Sequence, residues 1–376
     1  MRIVLSGGGT GGHITPLLAT AQAIKQLSKT AKLYYVGQNQ ALRLYPEAQK
    51  VFQGEYTIQS GKLRRYKDDE WWHHFTDMDR LFKNIVDIGK LKLGYFQSLY
   101  YLKKLKPDVV FIKGGYVGLP VGLAAATLNI PLIVHESDAK LGLTNKILSR
   151  FAKKVAVSFP VEIFNNDIPE EKLEYTGNPV RQEFFTKNSK PKAKLGLKNN
   201  KPVLLIVGGS GGAKNLNEAV LKNLDLLTAQ FQVVHATGKK DYERVQQMAS
   251  YISHKEASYH PYDFIKNISD YYQAADIVLC RGGMNSLAEI AASRLPAIVV
   301  PAPHLSDQVE NAAYLAKRQA ALVAEEATLS ENLPKLLNEV VQKSTQNRLK
   351  EEISKLAEPK AAEKLAKIII QTPANE

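Results

Sequence analysis

A single cysteine, Cys280, stands in a chain of 376 residues. No internal disulfide can form, which suits a reducing compartment. Long apolar runs are also missing. The nearest, residues 117–134, is interrupted by Pro120, Asn129 and Pro131, and predicts a buried helix followed by a buried strand rather than a membrane span. Residues 1–5 run straight into glycines and are too short for the apolar core of an export signal. Acids are in short supply: 37 Asp+Glu face 50 Lys+Arg, a formal net charge of +13. That excess calls for anions, whether nucleic acid, phosphorylated ligands or an anionic membrane surface.

What is present is ordinary globular composition, 44% hydrophobic and 23% charged, which excludes collagenous, disordered and multi-span classes. The length predicts two domains. Residues 3–5 read as a strand, 6–12 as a glycine loop and 14–27 as a helix; 33–36, 109–112 and 132–134 read as further strands. The same grammar restarts with a strand at 203–207, a glycine loop at 208–212 and a helix at 213–227, followed by strands at 233–234, 277–280 and 298–300. Short buried runs alternating with helical patterns predict parallel sheets covered on both faces. An internal repeat supports duplication. Asp108-Val-Val-Phe-Ile-Lys113-Gly114-Gly115 is echoed by Asp276-Ile-Val-Leu-Cys-Arg281-Gly282-Gly283. The expected division is 1–177 and 178–351, with turn chemistry at Thr176-Gly177-Asn178-Pro179 between them. The amphipathic stretch 349–371 reads as helical, and its part from about 352 to 371 is expected to pack back on the first domain. Residues 187–201 hold six lysines and no acid, and read as a solvated helix and loop.

Two common cofactor signatures fail. Gly7-Gly8-Gly9-Thr10-Gly11-Gly12 contains G-x-G-x-x-G after a strand, but the second strand ends Val36-Gly37-Gln38-Asn39-Gln40 without the carboxylate that a dinucleotide ribose needs. No Gly-Lys pair sits in a P-loop pattern. What remains is backbone: glycines let amides approach an anion, and the following helix adds its positive end. His13, at the start of that helix, is placed to be a general base, with a structural role equally open. In the second half, Gly282-Gly283-Met284-Asn285-Ser286 opens a helix carrying Glu289 among apolar neighbours. A loop after 299–300 carries His304, Gln308 and Asn311. Such a bunch of polar groups suits a ligand rich in hydroxyls and phosphates, and Glu289 could accept two hydrogen bonds from a ribose diol.

Six segments in order resemble the MurG family, the lipid-linked N-acetylglucosaminyltransferases of peptidoglycan synthesis. They are Gly7 through His13, Lys113-Gly114-Gly115-Tyr116, His135-Glu136-Ser137-Asp138 with Gly142-Leu143-Thr144-Asn145-Lys146, Gly177-Asn178-Pro179-Val180-Arg181, Val207 through Ala213, and Cys280 through Glu289. The resemblance implies an α/β protein of GT-B architecture, two doubly wound, Rossmann-like domains facing a cleft. It implies transfer of GlcNAc, with inversion, from UDP-GlcNAc to the 4-hydroxyl of MurNAc-(pentapeptide)-diphospho-undecaprenol, without metal or cofactor. For the donor it implies Ser210 and Arg181 at the diphosphate, Ile265 at the uracil, Met284, Asn285, Ser286, Leu287, Ala288 and Glu289 along the nucleotide-sugar helix, and Gln308 on the GlcNAc hydroxyls. Thr10, Gly11 and Gly12 are expected as further donor contacts at the cleft, beside the acceptor at the first unit's glycine loops, with His13 there as catalytic base. Asp138 stands where many members have Asn, at a contact to the donor sugar.

Basic and aromatic residues mix along 62–106: Lys62, Arg64, Arg65, Lys67, Trp71, Trp72, Phe75, Phe82, Tyr95, Phe96, Tyr100 and Tyr101. They predict peripheral attachment to an anionic membrane; the resemblance implies its cytoplasmic face, with other cell-wall synthesis proteins as further partners. The alternatives are a GT-B UDP-sugar transferase with another lipid acceptor, or a basic nucleic-acid-binding protein; no recognisable nucleic-acid module supports the latter.

Overall fold

The computed structural model describes residues 1–8, 11–38, 48–61, 78–186, 191–198, 201–209, 211–251 and 258–372, with the backbone alone for 11–13 and 78–84. The chain divides into two compact units, Met1–Pro179 with Lys360–Glu376, and Val180–Pro359.

The first unit is built on a parallel sheet of β1 (Arg2–Ser6), β2 (Lys32–Gly37), β3 (Gly54–Thr57), β4 (Val109–Ile112), β5 (Leu132–Glu136), β6 (Lys154–Val157) and β7 (Leu173–Tyr175). Its spatial order is β3-β2-β1-β4-β5-β6-β7. β4 and β5 are buried along their whole length, as the unbroken apolar runs require for strands covered on both faces. The second unit repeats the plan with β8 (Val203–Val207), β9 (Gln232–Ala236), β10 (Tyr259–Tyr262), β11 (Ile277–Cys280), β12 (Ala297–Val299) and β13 (Leu322–Val323), in the order β10-β9-β8-β11-β12-β13. All pairings are parallel, and the strand order reverses once in each sheet, between β1 and β4 and between β8 and β11. Ligands of doubly wound sheets bind beyond the carboxyl ends of such strand pairs.

The internal repeat occupies equivalent places. The Asp108 carboxylate accepts the Arg2 amide at 2.6 Å, and the Asp276 carboxylate accepts the Val203 amide at 2.8 Å. Each aspartate thus ties the start of a switch-point strand to its neighbour. Lys113 and Arg281 then leave the far ends of β4 and β11.

The structure corrects several expectations. The helix expected over 213–227 is two, Lys214–Lys222 and Leu224–Gln230. Asn223 breaks it, its side-chain amide donating to the carbonyls of Ala219 and Ser330 at 2.9 Å. The stretch 349–371 also divides, into Lys343–Ser354 and Ala361–Gln371, and Pro359 falls between them. The two helices serve different cores. Leu349 is buried with Leu204, Leu333 and Leu337. Leu365, Ala366 and Ile369 are buried with Leu17, Ile24 and Phe111 of the first unit. The lysines of 187–201 are not simply solvated: Lys192 meets Asp276 and Lys194 meets Asp270, each at 2.7 Å, and Lys201 donates to the Thr228 carbonyl at 2.8 Å.

The helix Met78–Leu105 packs against the helix Gly118–Thr127. Its Gly94 lies so close to the Gln59 carbonyl that a Cβ would come within 1.9 Å of the oxygen. Its outward side leaves Ile85, Ile88, Leu93, Phe96 and Tyr100 exposed among Lys90, Lys92, Lys103 and Lys104. Trp71, Trp72, Phe75, Lys62, Arg64, Arg65 and Lys67 lie outside the described residues, as does the side chain of Phe82. Among the described residues no helix is long and apolar enough to cross a membrane.

Candidate functional site

At the carboxyl edge of the first sheet, β1 runs into Gly7 and Gly8, and the helix Gly11–Leu27 begins three residues later. The Tyr35 hydroxyl donates to the Gly7 carbonyl at 2.7 Å and fixes the turn from below. Thr10 lies outside the described residues. Gly11, Gly12 and His13 form the first turn of the helix by their backbone, and the His13 side chain lies outside what is described.

Beside this turn, Lys113 leads into Gly114 and Gly115, both in the left-handed region. A Cβ on Gly114 would sit 3.1 Å from the Asn145 amide nitrogen. Lys113 is 1% exposed and its ammonium donates to the Ser137 hydroxyl. Burial pulls its pKa down, opposed by the carboxylates of Asp138 and Glu136. Glu136 accepts the Gly142 amide and the Asn145 side-chain amide at 2.8 Å and the Asp138 amide at 3.1 Å; burial still raises its pKa. His135 faces the Gly177 carbonyl through Nε2 at 3.1 Å. Burial first, then Lys113, holds its pKa well below the ordinary value. The ring is therefore neutral at pH 7, with the proton on the nitrogen that faces the carbonyl. Asp138 is half-buried at the end of this cluster.

The second sheet presents an equivalent edge. After β8, Gly212 takes a left-handed φ of 75°, and a Cβ there would lie 2.6 Å from the Thr237 carbonyl oxygen. Only glycine permits that approach. A polar chain braces the same corner. The Asn217 side-chain amide donates to the Thr237 carbonyl at 3.0 Å and to Asp241 at 2.7 Å. Its oxygen meets His235 Nε2 at 3.0 Å, and His235 Nδ1 meets the Tyr259 hydroxyl at 2.8 Å. Burial drops His235 to about 3, so it is a neutral strut. Ser210 lies outside the described residues.

Arg181 opens the turn Gln182–Phe184. It pairs with Glu183 at 3.0 Å and lies over the Phe184 ring at 5.2 Å, while its Nε is buried without a hydrogen-bond partner among the described residues. The Phe184 ring in turn meets Tyr272 at 5.7 Å, and Tyr272 hydrogen-bonds Ser286. Ser286 stands in the first turn of the helix Met284–Ser293, where Met284, Leu287 and Ala288 are buried and Asn285 and Ser286 half-buried. Glu289 lies further along. Its carboxyl is lifted to about 7 by burial, against the pull of Arg181 and with the push of Glu183. Ile265 is buried and its neighbour Phe264 exposed.

Gln308 and Asn311 belong to the helix Ser306–Lys317 rather than to the expected loop; His304 precedes it and is exposed. The Gln308 side-chain oxygen accepts the Ala302 amide at 3.0 Å, and Asn311 donates to the Gly282 carbonyl at 3.0 Å. Arg281 pairs with Glu326 and donates to the Val300 carbonyl at 3.2 Å. Within the second unit, Arg181, Glu289 and Ser286 therefore share one electrostatic and hydrogen-bonded cluster. Sequence reasoning did not single out Tyr272, Glu183, Asn217 or His235. Tyr272, Asn217 and His235 reach their partners only through the fold, and Glu183, two residues from Arg181, reads from sequence as an ordinary exposed acid.

Two family models cover most of the chain: the glycosyltransferase family 28 N-terminal domain matches residues 3–157 and the family 28 C-terminal domain matches 203–369. A UDP-N-acetylglucosamine–N-acetylmuramyl-(pentapeptide) pyrophosphoryl-undecaprenol N-acetylglucosamine transferase of Halalkalibacterium halodurans is 36% identical over 98% of this chain and 99% of its own length. The Clostridium botulinum enzyme of the same name is 36% identical over 90% of each. Among solved structures, Acinetobacter baumannii MurG is 26% identical, covers 99% of each chain and superposes with a TM-score of 0.72. The chain belongs to the MurG family, N-acetylglucosaminyltransferases of glycosyltransferase family 28 with the GT-B fold.

Proposed function

We propose that the chain transfers GlcNAc from UDP-GlcNAc to the 4-hydroxyl of MurNAc in MurNAc-(pentapeptide)-diphospho-undecaprenol, with inversion, giving the disaccharide lipid and UDP. The observation that carries this reading is the half-buried Glu289 on the helix Met284–Ser293, its carboxyl lifted by desolvation and drawn back by the charge of Arg181. A carboxylate for a ribose diol and a cation for a diphosphate sit together at the carboxyl edge of a doubly wound sheet.

On the donor side, Glu289 accepts two hydrogen bonds from the ribose. Arg181 turns its Nε–H, which has no partner among the described residues, to the diphosphate, with the amides of the glycine loop after β8 and of the helix start (Met284, Asn285, Ser286) around the same anion. Ser210 adds its hydroxyl. Leu287 and Ala288 carry the helix against the core. Ile265 offers backbone to the uracil. Gln308, its oxygen engaged by Ala302, donates its NH2 to the GlcNAc hydroxyls. Asp138 reaches the donor sugar.

The first unit's glycine turns receive the acceptor, and Thr10, Gly11 and Gly12 contact the donor as well. The acceptor O4 attacks the sugar's C1 as the bond from C1 to the diphosphate oxygen breaks. His13 takes the O4 proton, and Arg181 with the helix N-terminus stabilises the charge of the departing UDP. The exposed apolar residues and lysines of the helix Met78–Leu105 seat the enzyme on an anionic membrane, at its cytoplasmic face.

Labelled UDP-GlcNAc incubated with the lipid acceptor, in chelator, tests the reading. A labelled disaccharide lipid is expected, and its absence with a folded enzyme overturns the function. His13→Ala should lower turnover by on the order of 100-fold; wild-type turnover in that variant rules out the base. Flotation with anionic liposomes at low and high salt tests the membrane contact, and failure to bind at low salt ends it.

A further inference from the structure

Two glycine turns interlock at the carboxyl edge of the second sheet, and the proposed donor contacts include only the first. That turn follows β8, where the Gly212 amide closes on the Gly209 carbonyl at 3.0 Å. The second follows β9, at Thr237 and Gly238. Gly212 and Gly238 are both left-handed, with φ of 75° and 85°. A Cβ on Gly212 would lie 2.6 Å from the Thr237 carbonyl oxygen, and one on Gly238 would lie 2.5 Å from the Gly212 Cα. Backbone meets backbone here, so the position of the second turn sets the position of the first.

The contact brings the buried Thr237 carbonyl against the neighbouring loop, and a buried carbonyl needs a donor. Asn217 supplies it at 3.0 Å, from a helix that begins two residues after Gly212. Asn217 is fully buried. Its amide nitrogen also donates to Asp241 at 2.7 Å, and its oxygen faces His235 Nε2 at 3.0 Å. Arg244, at 2.6 and 2.9 Å, holds Asp241 as a carboxylate. The Thr237 carbonyl and the Asp241 carboxylate can only accept, so the Asn217 amide has one orientation. Its oxygen therefore accepts from Nε2–H of His235, whose ring burial keeps neutral. Nδ1 of that ring is left to accept from the Tyr259 hydroxyl at 2.8 Å. A chain running from β10 through β9 thus fixes which way Asn217 points, and Asn217 holds the second turn against the first.

We propose that Asn217 is a positioning residue for the leaving diphosphate. By holding the Thr237 carbonyl it locks the turn at Gly238 against the turn at Gly212, and so sets the glycine loop that receives the anion. The proposal rests on the donor reading above, which places the diphosphate at that loop. Amides already aimed at a charge need not reorganise as the charge develops. Loosening the second turn therefore weakens the hold on the diphosphate. The hold on the nucleoside, assigned to Ile265 and Glu289, stays.

The test compares wild type, Asn217→Ala and Asp276→Ala. It reads the affinities for UDP and for uridine, kcat/KM for UDP-GlcNAc and the thermal midpoint. Asn217→Ala should bind UDP on the order of tenfold more weakly and lose on the order of 100-fold in kcat/KM. Its uridine affinity should stay within about twofold. Asp276→Ala is the stability control. It lies at the opposite edge of the same sheet, tied to the start of β8, and should lower the midpoint while UDP affinity stays within about twofold. UDP affinity that follows the midpoint across both variants overturns the proposal, as does an Asn217→Ala loss that uridine shares equally. Unchanged UDP affinity in Asn217→Ala overturns it too. If that variant does not fold, Gly238→Ala parts the two turns through its own Cβ and leaves the Asn217 side chain in place. The same split between UDP and uridine is expected, and its absence sinks the idea. Wild type that binds UDP no more tightly than uridine has no hold on the diphosphate, which ends the proposal. Wild type that binds UDP but labels no lipid fails the transferase reading alone.

Discussion

Lys113 and Arg281 close the same repeat, one in each unit, and their surroundings differ. Arg281 spans from β11 to Glu326 and the Val300 carbonyl, so it joins three segments of its own domain. Lys113 donates to Ser137, in the loop after β5. The aspartates that open the repeat have diverged as well: Asp108 ties one strand, whereas Asp276 ties one strand and Lys192 together. Charge stands at both ends of the strand in each unit. In the second unit both ends brace its own segments, whereas in the first Asp108 ties β1 and Lys113 turns to the loop that carries Asp138. A shared sequence pattern therefore fixes where a charge sits, while its partner decides what the charge does.

Four perturbations sharpen that contrast. Glu289→Ala removes the carboxylate of the proposed ribose contact and should lower kcat/KM for UDP-GlcNAc by on the order of 1000-fold, with the thermal midpoint held within a few degrees; steady-state assays with radiolabelled donor decide. Arg281→Ala leaves Glu326 without its cation and should cost about 3 kcal/mol of stability, largely restored by adding Glu326→Ala. Denaturant titration of both variants reads this, and a small loss in the single variant would place the pair outside the architecture.

The third perturbation is pH. The Glu289 carboxyl, lifted to about 7, holds a proton below that pH and cannot accept both diol hydrogens. Donor kcat/KM should therefore fall as pH drops below about 7, by up to tenfold per unit. A limb that survives in Glu289→Gln belongs to another group. The smallest effect is expected at the head of the repeat. Asp108→Ala should cost about 1 kcal/mol and Asp276→Ala about 2 kcal/mol, since the latter also strands Lys192; equal losses in calorimetry would break the comparison.

Strand after strand of the two sheets was legible because continuous apolar runs such as residues 109–112 and 277–280 have few other uses. The strands not read were edge or near-edge segments whose pattern is weak. β10 carries Pro261 in its middle, tolerable because it pairs on one side only, and β13 has two residues. Gln308 was recognised as a polar candidate but placed on a loop, since Pro301 and Pro303 hide a helix that begins at Ser306. Glycine turns and Glu289 stood out through spacing and apolar context. Tyr272 and His235 did not, because their partners are distant in the chain. The backbone geometry of both switch points could be anticipated from sequence, and the braces behind them could not.

The helix Ala361–Gln371 completes the first unit's core only after the chain has run through the whole of the second. Synthesis proceeds in one direction, so residues 180–359 emerge with every strand of their own sheet before Leu365, Ala366 and Ile369 exist. The second unit can close while the first still waits, its helix Gly11–Leu27 exposing the stripe those residues will cover. The nascent first unit thus has an interval in which a holding chaperone or an early membrane contact has something apolar to grip.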